Sequence, residues 1–280
     1  KLPISNLIPV ASEKSLNQKL LFNGKKLTVQ PLNQKLLDQK IDIALFSAGS
    51  EVSKVWAPKF SDVGCKVIDN SSYWRMSTDH KLIIPEINGK QISKRDMIIA
   101  NPNCSTIQLL MVLSPLHKKY TIKRVVLSTY QAVSGTGKKA VDQLQKEQDG
   151  LLVDKAYPHQ IYQNILPQCD EFTENGYTKE EMKLTNETRK ILDKNIDVVA
   201  TAVRVPVTRG HSESVNIEFE HDFDVNEVRQ CLQESPGLVV LDNPLKNVYP
   251  MPLISKKNDD VFVGRIRRDF TKENCIPLWI

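Results

Sequence analysis

The chain reads as an α/β protein, with a parallel, doubly wound sheet in its first part and an α+β region with a mostly antiparallel sheet in its second. Three observations predict this. Ile41-Asp-Ile-Ala-Leu-Phe-Ser47 is a short buried-strand pattern that ends in Ala48-Gly49-Ser50 and leads into a helix-like stretch, Glu51 to Phe60. Lys66 to Asp69 and Met97 to Ala100 are further β-type runs, each stopped by a polar turn. Strands alternating with helices build parallel sheets whose ligands lie beyond the strand C-terminal ends. After Cys104 the rhythm changes: Ile122 to Val133 reads as one long strand, and Val198 to Val205, Ser214 to His221 and Val261 to Phe270 alternate like antiparallel strands with one wet face.

Between these strands, Lys138 to Gln148 and Thr178 to Leu192 read as charged helices, Gly150 to Asp170 as a connecting loop, and Ser255 to Asp260 as an exposed hairpin tip. With 280 residues the chain has room for two domains, and the change of pattern puts their boundary near Cys104, giving 1–103 and 104–280. Basic residues exceed acidic ones by only five, spread along the chain, which suits a small anionic ligand and argues against nucleic acid. The five cysteines, Cys65, Cys104, Cys169, Cys231 and Cys275, are far apart and form neither a C-x-x-C pair nor a His-rich cluster. That spacing indicates no disulfide frame and no metal site, and fits a reducing, cytoplasmic setting. No apolar run reaches membrane-spanning length, so no membrane partner is expected.

The residues able to do chemistry fall beside strand ends and turns. Asn101-Pro102-Asn103-Cys104-Ser105-Thr106 sets one cysteine between a turn and the apolar run Ile107 to Leu116. A cysteine at a helix N-terminus meets the positive end of the dipole, which favours the nucleophilic thiolate; the alternative is a small buried hydrophobe. Arg204 ends an apolar strand, where burial is costly without an anion, and His211 comes after it, beyond Pro206 and Gly210. Gln131 stands at a strand end, and Ser134-Gly135-Thr136-Gly137 then opens a helix with a turn able to cradle an anion or simply to turn the chain. Arg75 sits among aromatics as an anion anchor or a surface arginine stacked on Trp74, and Glu180 and Lys183 share a helix face, where a solvated ion pair is the plain alternative.

Taken together, the stretches FSAGS at 46–50, DNSSYWRM at 69–76, NPNCSTIQ at 101–108, STYQAVSGTG at 128–137, YTKEEMK at 177–183, RVPVTRGHSESV at 204–215 and FVGRIRRD at 262–269 resemble the aspartate-β-semialdehyde dehydrogenases. They come in that family's order and cover nearly the whole chain. The resemblance implies a Rossmann-like NADP-binding domain over 1–103 and a catalytic and dimerisation domain over 104–280. It makes Cys104 the nucleophile, His211 the general acid/base and Gln131 the residue that orients the substrate. Arg204 would bind the substrate carboxylate and Glu180 its amino group, while Arg75, Lys183 and Asn103 would hold phosphate. Lys14, Ser15, Ser47, Ala48, Gly49, Ser134 and Gly135 would lie against NADP. The implied reaction is the reversible reductive dephosphorylation of aspartyl phosphate to aspartate semialdehyde through a cysteine thioester, serving lysine, threonine and methionine synthesis, in a homodimer or homotetramer.

Two departures bear on these expectations. The family opens with a strand, a G-x-x-G-x-x-G turn and a helix, whereas this chain begins at a segment, residues 2–12, that resembles the family's next stretch. It stops at Leu278-Trp279-Ile280, where the family continues through a cofactor loop into a helix, so the parallel sheet is expected to be incomplete and the chain a fragment. Lys14-Ser15 stands where the family usually has Arg-Ser against the 2′-phosphate of NADP; lysine pairs there as a point charge without the bidentate fork. N-acetyl-glutamyl-phosphate reductase is the nearest rival, and Asn103-Cys104-Ser105-Thr106 argues against its Gly-Cys-Tyr type of turn. A non-catalytic homologue acting as a binding or assembly subunit is the rival from another class.

Overall fold

A computed structural model describes residues 3–255 and 258–280. The chain divides into two compact units, one of Lys1–Lys81 with Ile92–Asn101 and a second of Leu82–Gln91 with Pro102–Ile280.

In the first unit, β1 (Ile43–Phe46), α1 (Ser50–Asp62), β2 (Lys66–Asp69) and β3 (Ile98–Ala100) match the pattern read from the sequence. The strands are parallel in the order β1-β2-β3, with the two-residue strand Lys81–Leu82 outermost. Phe46 pairs with Asp69 and Asp69 with Ala100, so the strand ends lie level and the turns after them open on one edge. Ser53, Ala57 and Phe60 recur on one face of α1 and are buried. Phe60 meets Phe46 edge-on at 5.6 Å, in a core with Leu36, Cys65, Val67 and Ile98. Ile43, Leu45 and Ile68 are exposed.

The second unit is built on α2 (Cys104–Tyr120), β4 (Ile122–Gln131), α3 (Lys138–Gln148), α4 (Lys179–Ile191), β5 (Asp197–Arg204), β6 (Ser212–Phe219), α5 (Val225–Gln233), β7 (Leu238–Val240), β8 (Val261–Val263) and β9 (Cys275–Trp279). A four-stranded sheet runs β5-β4-β6-β9, antiparallel in two of its three pairings. The exception is β5, which pairs in parallel with β4 from Asp197 opposite Arg124 to Arg204 opposite Gln131. Alternation along Val198 to Val205 reveals a wet face but not a direction, and the two helices between β4 and β5 form the crossover a parallel neighbour requires.

Three other readings change. Val261 to Phe270 is a strand only over Val261–Val263, which pairs in parallel with β7. The expected tip at Ser255 to Asp260 is therefore not a hairpin; Pro252–Ser255 is a helical turn, and 256 and 257, like Leu2 of the opening segment, lie outside the described residues. The sequence reading missed β9, whose Pro277 argues against a strand; it sits at the sheet edge, where the missing N–H is tolerated.

Gly150 to Asp170 has neither helix nor strand, yet side chains of α3 hold it. Gln143 Oε1 accepts the N–H groups of Ala156 at 2.7 Å and Tyr157 at 3.0 Å, and Glu147 Oε2 those of Ile161 at 2.8 Å and Tyr162 at 2.9 Å. Tyr157, Ile161 and Leu166 then close a core with Val133, Ala140 and Leu144. Leu166 exchanges two backbone hydrogen bonds with Arg204, which brings the loop beside the end of β5.

Candidate active site

Cys104 is the first residue of α2 and is exposed. Asn103 precedes it as the N-cap: its Oδ1 accepts the N–H groups of Ser105 at 3.0 Å and Thr106 at 3.3 Å, which starts the helix at the cysteine. On α4, Glu180 faces this turn. One of its oxygens, Oε1, accepts from Asn103 Nδ2 and Gln131 Nε2, both at 2.9 Å, and Oε2 accepts from Lys183 Nζ at 3.1 Å. Gln131, the last residue of β4, also donates to Ser105 Oγ at 2.8 Å. Burial works against a charge on Glu180, but Lys183, Gln131 and Asn103 outweigh it and hold the carboxyl below its ordinary value.

Ala132 ties the remaining predicted residues together. Its N–H donates to His211 Nδ1 at 3.1 Å, and its carbonyl accepts from Arg204 Nη1 at 2.8 Å. Gly135 lies against both, since a Cβ there would sit 3.2 Å from Arg204 Nη1 and 3.3 Å from His211 Nε2. Arg204 is buried 5.9 Å above the Tyr157 ring.

The electrostatics change one expectation. Burial, and then the Arg204 charge, push the His211 ring down to about 4, so it is neutral at pH 7. Because an N–H donates to Nδ1, that neutral ring carries its proton on Nε2. The Cys104 thiol, expected to be lowered at the helix N-terminus, is instead raised above the ordinary 9.0: loss of water contributes most, then the Glu180 carboxylate, while the Ser105 N–H works the other way. Exposure rather than acidity sets Cys104 apart, because Cys65, Cys169 and Cys275 are buried and Cys231 is half-buried.

In the second unit the structure thus gathers Asn103, Cys104, Gln131, Gly135, Glu180, Lys183, Arg204 and His211, with Ser134 beside Gly135. Lys14, Ser15, Ser47, Ala48, Gly49 and Arg75 belong to the first unit. There Ser47 to Gly49 are exposed just beyond β1, and Gly49, at φ +87°, begins α1 with no side-chain cap on its N–H groups. Lys14 is exposed in a short turn, and Arg75 is buried rather than on the surface, with Nη2 donating to the Asn70 carbonyl at 2.9 Å.

Sequence reasoning missed Asp170, which binds Lys183 Nζ at 2.8 Å, and Glu187, which binds the Asn103 N–H at 2.7 Å. It also missed Glu213, fully buried on β6 and pushed well above its ordinary value by burial. The signal for Glu187 was its place seven residues after Glu180, on the same helix face. Among the described residues no group of three His, Cys, Asp or Glu is arranged to hold a metal, and no helix is long and apolar enough to cross a membrane.

Comparison with known proteins decides the family. Residues 113–280 match the family described as semialdehyde dehydrogenase, dimerisation domain, and residues 1–95 match semialdehyde dehydrogenase, NAD binding domain. Aspartate-semialdehyde dehydrogenase of Aquifex aeolicus is 50% identical over 99% of this chain and 84% of its own length. The chain belongs to the aspartate-semialdehyde dehydrogenase family. The Bacillus subtilis member of that family is 42% identical, again over 99% of this chain and 84% of its own length. Among solved structures, aspartate semialdehyde dehydrogenase II of Vibrio cholerae complexed with ASA superposes with a TM-score of 0.94 at 40% identity, covering 99% of this chain and 84% of that one. The family match also gives the fold its two parts, a Rossmann-like NAD-binding sheet and a mixed-sheet domain, as in the Vibrio cholerae enzyme.

Proposed function

We propose that this family member converts aspartyl phosphate to aspartate semialdehyde, reversibly and with NADP, through a thioester on Cys104. The observation that carries the reading is the Ala132 residue: its two backbone groups hold Arg204 and His211, while the adjacent Gln131 side chain reaches the first turn of the Cys104 helix. A carbonyl attacked by a thiolate needs an anchor for its substrate, a group to orient it and a donor for its oxygen, and this arrangement supplies all three. The Vibrio cholerae relative complexed with ASA supports the substrate class.

In the reductive direction the Cys104 sulfur attacks the acyl carbonyl and phosphate leaves. Gln131 orients the acyl group, Arg204 pairs with the substrate carboxylate through its planar fork, and Glu180 meets the amino group. Lys183, shared between Asp170 and Glu180, would act on the departing phosphate with Asn103, and Arg75 of the first unit has a phosphate role from the family resemblance alone. His211 donates from Nε2 to the carbonyl oxygen as negative charge gathers there; its acid/base role requires the ring to leave the Ala132 N–H. The raised thiol makes ionisation of Cys104 part of the cost of each turnover.

When bound, NADP would supply hydride-transfer chemistry at the acyl carbon. The uncapped N-terminus of α1 after Gly49 fits an anionic cofactor, the turn of Ser134 and Gly135 would admit its ring, and Lys14 with Ser15 would meet a 2′-phosphate. Preference for NADP over NAD, a homodimer or homotetramer, a cytoplasmic setting and a place in lysine, threonine and methionine synthesis belong to the same reading. So do the assignments of 1–103 to the cofactor and 104–280 to catalysis and dimerisation. Comparing turnover of aspartate semialdehyde and N-acetyl-glutamate semialdehyde tests it: phosphate-dependent NADPH formation from the first is expected, and preference for the second would overturn the assignment.

A further inference from the structure

Glu187 is a buried carboxylate without a place in the roles above, and it grips the backbone that carries the nucleophile. Its Oε2 accepts the Asn103 N–H at 2.7 Å from α4, four residues beyond Lys183. The other polar groups of Asn103 are engaged as well. Its carbonyl accepts the Ile107 N–H at 2.9 Å, Oδ1 caps α2, and Nδ2 donates to Glu180. Two of these contacts, at positions seven apart on one helix, pin the residue before Cys104 to α4 rather than leaving it to the turn alone.

We propose that Glu187 is a positioning residue for Cys104, acting by accepting the Asn103 N–H. The proposal rests on the reading of Cys104 as the nucleophile. The contribution is geometric. A carboxylate near the N-terminus of α2 competes with a thiolate for the same positive end, so its charge gives the sulfur no help. What it supplies is an oxygen at a fixed place, and displacement of a reacting atom by about 1 Å costs roughly a hundredfold in rate.

Two conservative variants separate oxygen from charge. Glu187→Gln keeps an acceptor at the same reach and loses the charge; Glu187→Asp keeps the charge and withdraws the oxygen by about 1.5 Å, one carbon–carbon bond. With aspartate semialdehyde, saturating NADP and phosphate, kcat of the Gln variant should stay within about threefold of wild type. In the Asp variant kcat should fall on the order of tenfold to a hundredfold, with KM for the semialdehyde little changed. Amide hydrogen exchange at Asn103 gives a readout that needs no turnover: it should quicken by at least about tenfold with Asp and hold with Gln. A Gln variant as impaired as Asp, an Asp variant with wild-type kcat, or equal Asn103 exchange in all three proteins would overturn the proposal. If wild-type protein leaves aspartate semialdehyde unreacted, the functional reading fails, and the exchange experiment still decides the role of Glu187.

Discussion

Gly135→Ala probes the site through the free space on which it depends. The added Cβ would stand 3.2 Å from Arg204 Nη1 and 3.3 Å from both Cε1 and Nε2 of His211, inside the contact distance of about 3.5–4.0 Å. Both side chains must retreat by about 0.3 Å. If 1 Å costs about a hundredfold, 0.3 Å costs about fourfold for each group and about sixteenfold for the two. Stability should hardly move, because Gly135 is not among the residues with positive φ and alanine adopts its backbone without strain. The assay is kcat/KM for aspartate semialdehyde beside a thermal melt. Gly137→Ala is the control: nothing lies within 4 Å of its Cβ, but φ is +106°, so it should lower the melting temperature and spare kcat/KM. Wild-type kcat/KM in well-folded Gly135→Ala would refute the claim that Arg204 and His211 act from these positions.

The same geometry sets other outcomes. Arg204→Leu should raise KM for the semialdehyde and Arg75→Leu the phosphate requirement, each by about 2–5 kcal/mol of lost binding if the anion stays buried; identical effects of both variants on both substrates would defeat the division of roles. Iodoacetamide should label Cys104 before the other four cysteines, and because its thiol is raised above 9.0 the rate should climb about tenfold per pH unit from pH 7 to 9; a plateau below pH 8 would contradict this. Gln143→Ala strands the Ala156 and Tyr157 N–H groups and should cost about 2–4 kcal/mol in denaturant unfolding. For Glu147, burial opposes the charge, but the Tyr162 N–H, Gln143 and the Ile161 N–H hold it below its ordinary 4.5. Its contribution is therefore present above pH 4.5 and lost as pH falls through the folded-state value, and Glu147→Gln should remove that part of the acid dependence.

The parallel sheet was legible because β1 and β2 are short apolar runs ending at polar turns, and the Cys104 helix because the apolar run Ile107 to Leu116 follows a polar turn. Direction and partnership were not. The same alternation along Val198 to Val205 fits either orientation, and only the crossover through α3 and α4 makes β5 parallel to β4. Pro277 hid an edge strand. At the site, motif residues were visible one by one, but their meeting point was not: Ala132 acts through its backbone, which leaves no mark in the sequence. The Cys104 thiol was misjudged because the dipole is local and legible, whereas the loss of water that raises the thiol most, and then the Glu180 charge from a helix 76 positions downstream, come only with the fold.

The most direct test of the central claim is a phosphate-dependent NADPH absorbance assay with aspartate semialdehyde, run on wild-type protein and on Cys104→Ala. The thioester account predicts NADPH formation that requires phosphate in the wild type and none above background in the variant. Turnover by Cys104→Ala, or wild-type NADPH formation indifferent to phosphate, would contradict it.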